Sequence, residues 1–452
     1  MADQKRILII SYYFAPQNVI GAVRPTKLAK YLTRMGHDVT VIAGGGLDGQ
    51  IDPTLQRDLA ELKDVHQLNE WSPLRDWYIR KRSRAQAAPS APAPALPQEA
   101  VQPTGLKKLA SAAVDSVYVW LDWFADRNFR RMAMRELRKL HGPYDAVFSS
   151  YAPISVHETA YRAVQKGLAR KWIADFRDEL SLPFGYQQGF VRRWAQRIRT
   201  KADIVCAVSA GTLAAMQMAE CGRVLHNGFD REDLPDVQPQ TTDGCLRLVY
   251  CGQFNMGRRG VSDRDLTPAF RVLARLVQEG VLKREKLRLV YAGTEGALMR
   301  RYAASCGLED CVEDHGPVSR QESIRLQKGA DILLLASWNG AQQTGILTGK
   351  MFEYMMMDKP VLCCMNGELP MSAIRRVMEE TGIGFCWEEA NAQQDDEGLY
   401  AFVRSLAERW SRGEKLADER QKEAVEAYAY PGLARTLLEW INEYPPKKRP
   451  AE

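Results

Sequence analysis

The sequence predicts an α/β protein built from two Rossmann-like, doubly wound parallel-sheet domains facing each other across a central cleft. Three observations predict it. Short apolar runs of strand length alternate with amphipathic stretches of helical period. The runs are apolar throughout, as strands covered on both faces are. The alternation stops at a polar stretch, Asp230 to Gly244, and then starts afresh. At 452 residues the chain is also too long for one ordinary core.

The first strand is read from Arg6 to Phe14. A loop with Pro16 and Gly21 follows, then an amphipathic helix over Val23 to Met35 stopped by Gly36. Asp38 to Ile42 is the second strand, which completes a right-handed βαβ unit. Alternation resumes at Tyr144–Phe148 (strand), Ile154–Val164 (helix), Lys171–Asp175 (strand), Phe190–Lys201 (helix), Asp203–Val208 (strand), Gly211–Ala219 (helix) and Val224–Leu225 (strand). Beyond the polar linker the strands are Leu246–Tyr250, Leu287–Ala292, Ile332–Ala336 and Val361–Cys364, with helices between them. The expected division is an N-terminal domain over 1–229, a C-terminal domain over 230–430, and a last helix within 431–452 returning to the first domain.

Residues 65–140 interrupt the first alternation. Their centre, about 85–104, is rich in Ala and Pro with few charges and is expected to be disordered. The span Arg75–His141 holds 13 Lys/Arg against 6 Asp/Glu, an excess larger than the net +6 of the whole chain. Such a patch points to an anionic surface or acceptor, either nucleic acid or phospholipid headgroups, or is a solvated helix face. Over about 106–140, Trp120, Trp123, Phe124, Phe129 and Met134 are interleaved with Arg127, Arg130, Arg131, Arg135 and Arg138. A basic helix of this kind can lie on an anionic membrane, or its aromatic residues can pack on the first domain.

The apolar run Ile7–Ile10 is far too short to cross a bilayer and lacks the layout of a signal peptide, so a cytoplasmic location is expected. Nine scattered cysteines without a C-x-x-C pair, and histidines without H-x-x-x-H spacing, leave no structural metal motif. The motifs of hydride transfer and of specific nucleic-acid binding are missing as well.

Four stretches carry candidate chemistry. Ser11 to Arg24 joins a strand to a helix and contains Gly21 and Arg24, without the G-x-G-x-x-G of dinucleotide sites. Gly252 to Gly260 follows the first strand of the second domain and offers Arg258 and Arg259 to a diphosphate. Thr344 to Tyr354 opens a helix after a strand. The amides of Gly345, Ile346 and Leu347 would face the cleft there, Lys350 adds charge, and Glu353 can accept from ribose hydroxyls. Asp175-Phe176-Arg177-Asp178 lies at the carboxyl end of a strand, where its carboxylates can bind sugar hydroxyls, assist a proton transfer, or pair structurally with arginine.

These residues carry a resemblance to glycosyltransferase family 4, of the GT-B fold, and within it to the bacterial branch that builds O-antigen, capsule and exopolysaccharide. It covers most of the chain outside about 65–119. The matching stretches, in order, are Ile9–Pro16 with Gly21 and Arg24, Tyr144-Asp145 through Ser150, Asp175–Asp178, and Ala202-Asp203 through Ser209. His226–Asp230, His315–Val318 and Lys350–Glu353 with Lys359-Pro360-Val361 follow. The resemblance implies a retaining transferase that moves a sugar from a nucleotide-sugar donor, UDP favoured, to a lipid-linked or glycan acceptor at the inner face of the membrane. The nucleotide sugar is then a substrate, and no cofactor or metal is required.

It also implies roles for residues. The base would be read near Gly293 and Val318, the ribose by Glu353, and the diphosphate by the Gly345–Leu347 amides with Gly252, Arg258, Arg259 and Lys350. The acceptor would sit near Gly21, Arg24, Asp175, Arg177 and Asp178. Two positions depart from the family pattern. Gly345 stands where the family often has a glutamate eight residues before Glu353, and Gln253 and Arg259 stand where it often has Arg and Lys. A catalytically silent scaffold and a sugar-nucleotide epimerase therefore stay open as other readings.

Overall fold

The computed structural model describes residues 4–44, 51–68, 123–180, 188–239, 243–254, 264–340 and 345–447. The stretch expected to be disordered, 85–104, and the part of the basic segment before 123, with Trp120, lie outside the described residues. Contacts divide the chain into two units. Unit 1 is Met1–Val208, Leu213–Leu225 and Ala434–Glu452, and unit 2 is Ser209–Thr212 with His226–Leu433.

Unit 1 carries β1 (Arg6–Ser11), α1 (Ile20–Arg34), β2 (Asp38–Gly44), α2 (Pro53–Leu59), β3 (Asp64–Leu68), α3 (residues 123–136), β4 (Tyr144–Tyr151), α4 (Ser155–Gln165), β5 (Ala169–Phe176), α5 (Gln188–Lys201), β6 (Ile204–Ala207), α6 (Ala210–Ala215) and β7 (Gly222–Val224). Its seven strands are parallel in the order β3-β2-β1-β4-β5-β6-β7. β1 pairs with β2 on one side and β4 on the other, which makes the gap between β1 and β4 the place where the winding reverses. Gly36, at φ 88, stops α1 in the left-handed region that only glycine adopts cheaply. α2 starts on Asp52, whose carboxylate accepts from the amides of Thr54 and Leu55, with Pro53 in the first turn.

β3 falls inside the segment read as an interruption. It is a short edge strand whose His66 and Gln67 break the apolar pattern, so it gives little strand signal. α3 accounts for the aromatic residues that can be placed. Phe129, Ala133 and Leu137 belong to the core under the sheet, and the Trp123 ring meets Phe190 edge to face at 5.4 Å. The aromatics of α3 thus pack on unit 1, except for Phe124, which is 75% exposed.

Unit 2 carries β8 (Leu246–Cys251), α7 (Thr267–Gln278), β9 (Leu287–Ala292), α8 (Gly296–Ser305), β10 (Val312–Asp314), α9 (Arg320–Lys328), β11 (Ile332–Trp338), α10 (Gly349–Tyr354), β12 (Val361–Asn366), α11 (Ala373–Thr381), β13 (Gly384–Glu388), α12 (Ala392–Ser411) and α13 (Lys422–Ala427). Its six strands are again all parallel, in the order β10-β9-β8-β11-β12-β13, with the reversal between β8 and β11. Apolar side chains cover both faces of this sheet, in two separate clusters. β10 and β13 escape the sequence reading because one has three residues and the other starts on a glycine at the sheet edge.

The last helix, α14 (Tyr430–Glu443), runs into the segment from Ala434 that groups with unit 1. There the Lys171 ammonium donates to the Ile441 carbonyl, and the Lys447 amide donates to Asp203. No helix among the described residues is long and apolar enough to cross a membrane.

One buried group gives unit 1 a pH dependence. His157 in α4 is fully buried, with its Nδ1 at 2.8 Å from Ser149 Oγ, which also accepts from the Trp172 indole at 2.8 Å. Burial pushes the imidazole down to about 3 from its ordinary 6.5, against a smaller upward pull from Asp175. The unfolded chain therefore binds a proton that the folded chain refuses between these two values. Stability is full above pH 6.5 and falls as the pH drops from there towards 3, by on the order of 1.4 kcal/mol per pH unit from this group. Urea titrations between pH 7 and pH 4 should show the slope, and His157→Phe should flatten it. An unchanged slope in the variant would assign the acid sensitivity elsewhere.

Candidate functional site

Open parallel sheets bind ligands beyond the carboxyl ends of their strands, at the point where the strand order reverses. Each unit has one such point, and the sequence-predicted residues gather at both.

In unit 1 the reversal lies between β1 and β4. Asp175, at the end of β5, is fully buried and accepts from Arg24 Nε at 3.1 Å, Arg24 Nη2 at 2.7 Å, Ser150 Oγ at 3.0 Å and Cys206 Sγ at 3.4 Å. Arg24 Nη2 also donates to the Leu225 carbonyl at 2.7 Å. With side chains 2% and 0% exposed, Arg24 and Asp175 form a frame inside the unit and do not reach its surface. The frame leaves Arg177 above it. Arg177 Nε donates to the Tyr151 carbonyl at 2.8 Å, and the guanidinium lies 5.5 Å from the Tyr13 ring centre. It presses on Gly21 so closely that a Cβ there would stand 2.2 Å from Arg177 Nη1. Burial pulls the Arg177 guanidinium below its ordinary value, partly offset by Asp178 and Asp175. Such a cation gains more from an incoming anion than a solvated one does. Asp178 is exposed beside it.

In unit 2 the reversal lies between β8 and β11. Gly252 directly follows β8 at φ 145, and its carbonyl accepts from the Tyr291 hydroxyl at 2.9 Å. The Gly252 amide donates to the Ala292 carbonyl at 2.8 Å, and the Gly293 amide to the Gly316 carbonyl at 2.9 Å. The glycines are required by closeness. A Cβ on Gly293 would lie 2.3 Å from the Gly252 carbonyl oxygen, and one on Gly252 would lie 2.1 Å from Lys350 Nζ. The Lys350 ammonium sits 5.0 Å from the Tyr250 ring centre. Burial, then the nearby charge of Arg264, pulls Lys350 down to about 8 from 10.5.

One turn after Lys350, Glu353 accepts from Gln327 Nε2 at 2.7 Å and faces Arg320 Nη1 at 3.6 Å, with a fifth of its side chain exposed. Gln327 and Arg320, which face the Glu353 carboxylate from a neighbouring helix, were missed by the sequence reading. The Ser319 N-cap with Glu322 three residues on marks their helix. Arg264 was missed as well. Its guanidinium stands 5.0 Å from the Trp338 ring centre and Nη1 donates to the Gln253 carbonyl at 2.6 Å.

The expected amide cradle differs in one respect. α10 begins at Gly349, so Gly345, Ile346 and Leu347 form the loop before it and do not belong to its first turn. Gly345 holds φ 77, a conformation that a glutamate would adopt only under strain. Leu347 and Val318 pack against the core of unit 2. Arg258 and Arg259 lie outside the described residues.

No family model matches the sequence, and no curated protein matches it. Solved structures do. A glycosyltransferase from Rickettsia africae superposes with a TM-score of 0.53 at 15% identity, over 98% of this chain and 99% of that one. The N-terminal domain of a trehalose-6-phosphate phosphatase from Candida albicans gives 0.55 at 12% identity, over 97% of each chain. A sucrose-phosphate synthase from Thermosynechococcus elongatus gives 0.51 at 12% identity, over 96% and 98%. At these identities the similarity shows the fold: two Rossmann-like parallel-sheet domains of the glycosyltransferase GT-B type.

Two outcomes follow from the packing. Arg24→Met leaves the Asp175 carboxylate buried without its cation and should cost about 3–5 kcal/mol in urea denaturation. Adding Asp175→Asn should return part of that loss. Gly252→Ala should lower stability both through its φ and through the clash with Lys350. In a double-mutant cycle with Lys350→Ala, the clash should appear as a coupling of about 1 kcal/mol or more. Additive losses would show that the lysine does not rest on the glycine.

Proposed function

We propose that this chain is a retaining glycosyltransferase, similar to family 4. It moves a sugar from a nucleotide-sugar donor, UDP-linked by preference, to a lipid-linked glycan acceptor in cell-surface polysaccharide synthesis. The observation that carries the reading is the site in unit 2. There a desolvated ammonium, Lys350, is held against the Gly252 backbone, with a carboxylate, Glu353, fixed one turn on by Gln327. A nucleoside diphosphate has the complementary chemistry, a doubly charged bridge and a ribose with two hydroxyls.

The chemistry follows from charge. When the bond between the sugar C1 and the diphosphate oxygen breaks, negative charge builds on the leaving phosphate. Lys350, with Arg259 as its partner in this reading, neutralises it in a site where a cation is worth far more than in water. Glu353 accepts from the ribose hydroxyls, and the backbones of Gly293 and Val318 flank the base. Gly345, Ile346 and Leu347 offer amides to the phosphates. On the acceptor side, Asp178 is the exposed carboxylate for an acceptor hydroxyl, Arg177 and Gly21 form the surface beside it, and Arg24 with Asp175 hold that surface in place.

The test is calorimetric titration with UDP and with GDP. One nucleotide should bind, and Glu353→Ala should weaken it by about tenfold or more, as loss of hydrogen bonds to a charged group does. Binding of neither nucleotide would sink the donor reading. Turnover of the nucleotide sugar without any acceptor would replace a transferase by an epimerase.

Lys350 adds a sign that can be checked. Bound diphosphate favours its charged form, so the affinity should be flat below about pH 7 and fall as the pH rises through about 8. In Lys350→Ala the affinity should be lower, and this fall should vanish.

A further inference from the structure

α3, α4 and α5 lie side by side on one face of the first sheet. Their inner sides share one core, through Phe129 and Ala133 of α3, Val156 and Ala160 of α4, and Trp194 and Ile198 of α5. Cross-contacts join them into a layer. Trp123 meets Phe190, Arg127 pairs with Glu158 at 2.8 Å, and the Arg197 guanidinium lies 5.3 Å from the Tyr161 ring centre.

The outer side of this layer is basic. On α3 and the turn after it, Arg131, Arg135 and Arg138 follow one line at helical spacing, beside Arg130. With Arg162 and Lys166 at the end of α4 they border a groove of about 500 Å³. On α5, Arg192, Arg193 and Arg197 line a second hollow, and that helix contains no acid at all. The three acids of the layer turn inward. Asp126, Glu158 and Glu136 have side chains 8%, 5% and 14% exposed, the first on Arg127, the second on Arg127 and Arg130, and the third on His66 and Lys139. At the start of the α3 line stands Phe124, 75% exposed.

We infer that this three-helix face docks on an anionic bilayer, with lipid phosphate headgroups as its ligand and Phe124 seated among them. The charge complementarity is spread over three helices whose axes lie roughly 8–10 Å apart, which suits a flat surface of many phosphates. A solvent-exposed phenylalanine at its edge gains by entering the headgroup region. The mode is not that of a helix lying in the membrane plane, because the apolar side of α3 is spent on the sheet. The inference deepens the proposal of a lipid-linked acceptor and extends the surface from α3 to α4 and α5, yet its test does not depend on nucleotide binding.

The experiment is co-sedimentation of the full chain with phosphatidylcholine vesicles, with and without an equal part of phosphatidylglycerol. Binding should need the phosphatidylglycerol and weaken with added salt. Removing one cation should cost about five-fold, and the triple variant Arg131→Gln, Arg135→Gln, Arg138→Gln about a hundred-fold. Arg192→Gln with Arg193→Gln, on the other helix, should also lose affinity. Equal binding to both vesicle types, or full affinity in either variant, would overturn the inference. So would a short DNA duplex that displaces the protein from vesicles at equal phosphate concentration. If the triple variant loses its circular-dichroism melt, the salt titration of the unmodified chain decides, and salt-independent binding overturns the proposal. UDP titration of the same preparation reports separately on the donor reading.

Discussion

Unit 1 is assembled around one buried carboxylate. Asp175 lies fully buried near the end of β5, and its two oxygens are met by Arg24 from α1, Ser150 from β4 and Cys206 from β6. Arg24 in turn caps the carbonyl of Leu225, after β7. The winding reverses between β1 and β4, and this ion pair fixes the elements around the carboxyl edge there. The surface follows from the frame by nearness along the chain. Gly21 is three residues before Arg24, on the same side of α1, and Arg177 follows Asp175 by two residues, in the bend after β5. Pairing Arg24 with Asp175 therefore brings Arg177 down onto Gly21. Only a residue without Cβ lets the guanidinium lie there.

Unit 2 meets the same topological problem with backbone in place of a buried ion pair. Its strand ends approach one another through Gly252 and Gly293, locked by the Tyr291 hydroxyl, and Lys350 is folded onto that backbone instead of out into water. The two sites are thus opposite in construction. One holds its cation, Arg177, above a neutralised pair, and the other holds Lys350 over glycine and a tyrosine ring. In both, desolvation pulls the cation below its ordinary value, so that an anion brought beside it would favour its charged form.

The sequence made the plan of both units legible, because buried parallel strands read as unbroken apolar runs and each was found where it was continuous. β3, β10 and β13 were missed for the matching reason: each is an edge strand, short or broken by polar residues. Which candidate residues lie at strand ends was legible, and the surroundings of each were much less so. Asp175, Arg177 and Asp178 look alike in a four-residue run, yet one is in the core, one is half-buried and one is exposed. Only the long-range partner Arg24, 151 positions away from Asp175, decides between them. Gln327, which orients Glu353 from another helix, leaves no trace beside the motif it serves. Gly345 shows the converse. Its departure from the glutamate that the resemblance to family 4 leads one to expect is visible in the sequence, and the left-handed backbone that suits a glycine is visible only in the fold.

The charge count shows the same limit from another side. A local excess of Lys/Arg between Arg75 and His141 says that a basic surface exists, not where it is. Three of its cations, on Arg127, Arg130 and Lys139, are spent on acids of the unit. The surface in turn borrows Arg162, Lys166, Arg192 and Arg193 from helices that no linear window would join to α3. What unites them is the right-handed winding of the sheet, which places α3, α4 and α5 on one side. Carboxylates within that layer are drawn towards the interior by the arginines they pair with, and this leaves the outward faces to the remaining cations. A one-sided charge can therefore arise from a nearly balanced chain, provided the fold sorts acids inward and bases outward along helices of one layer.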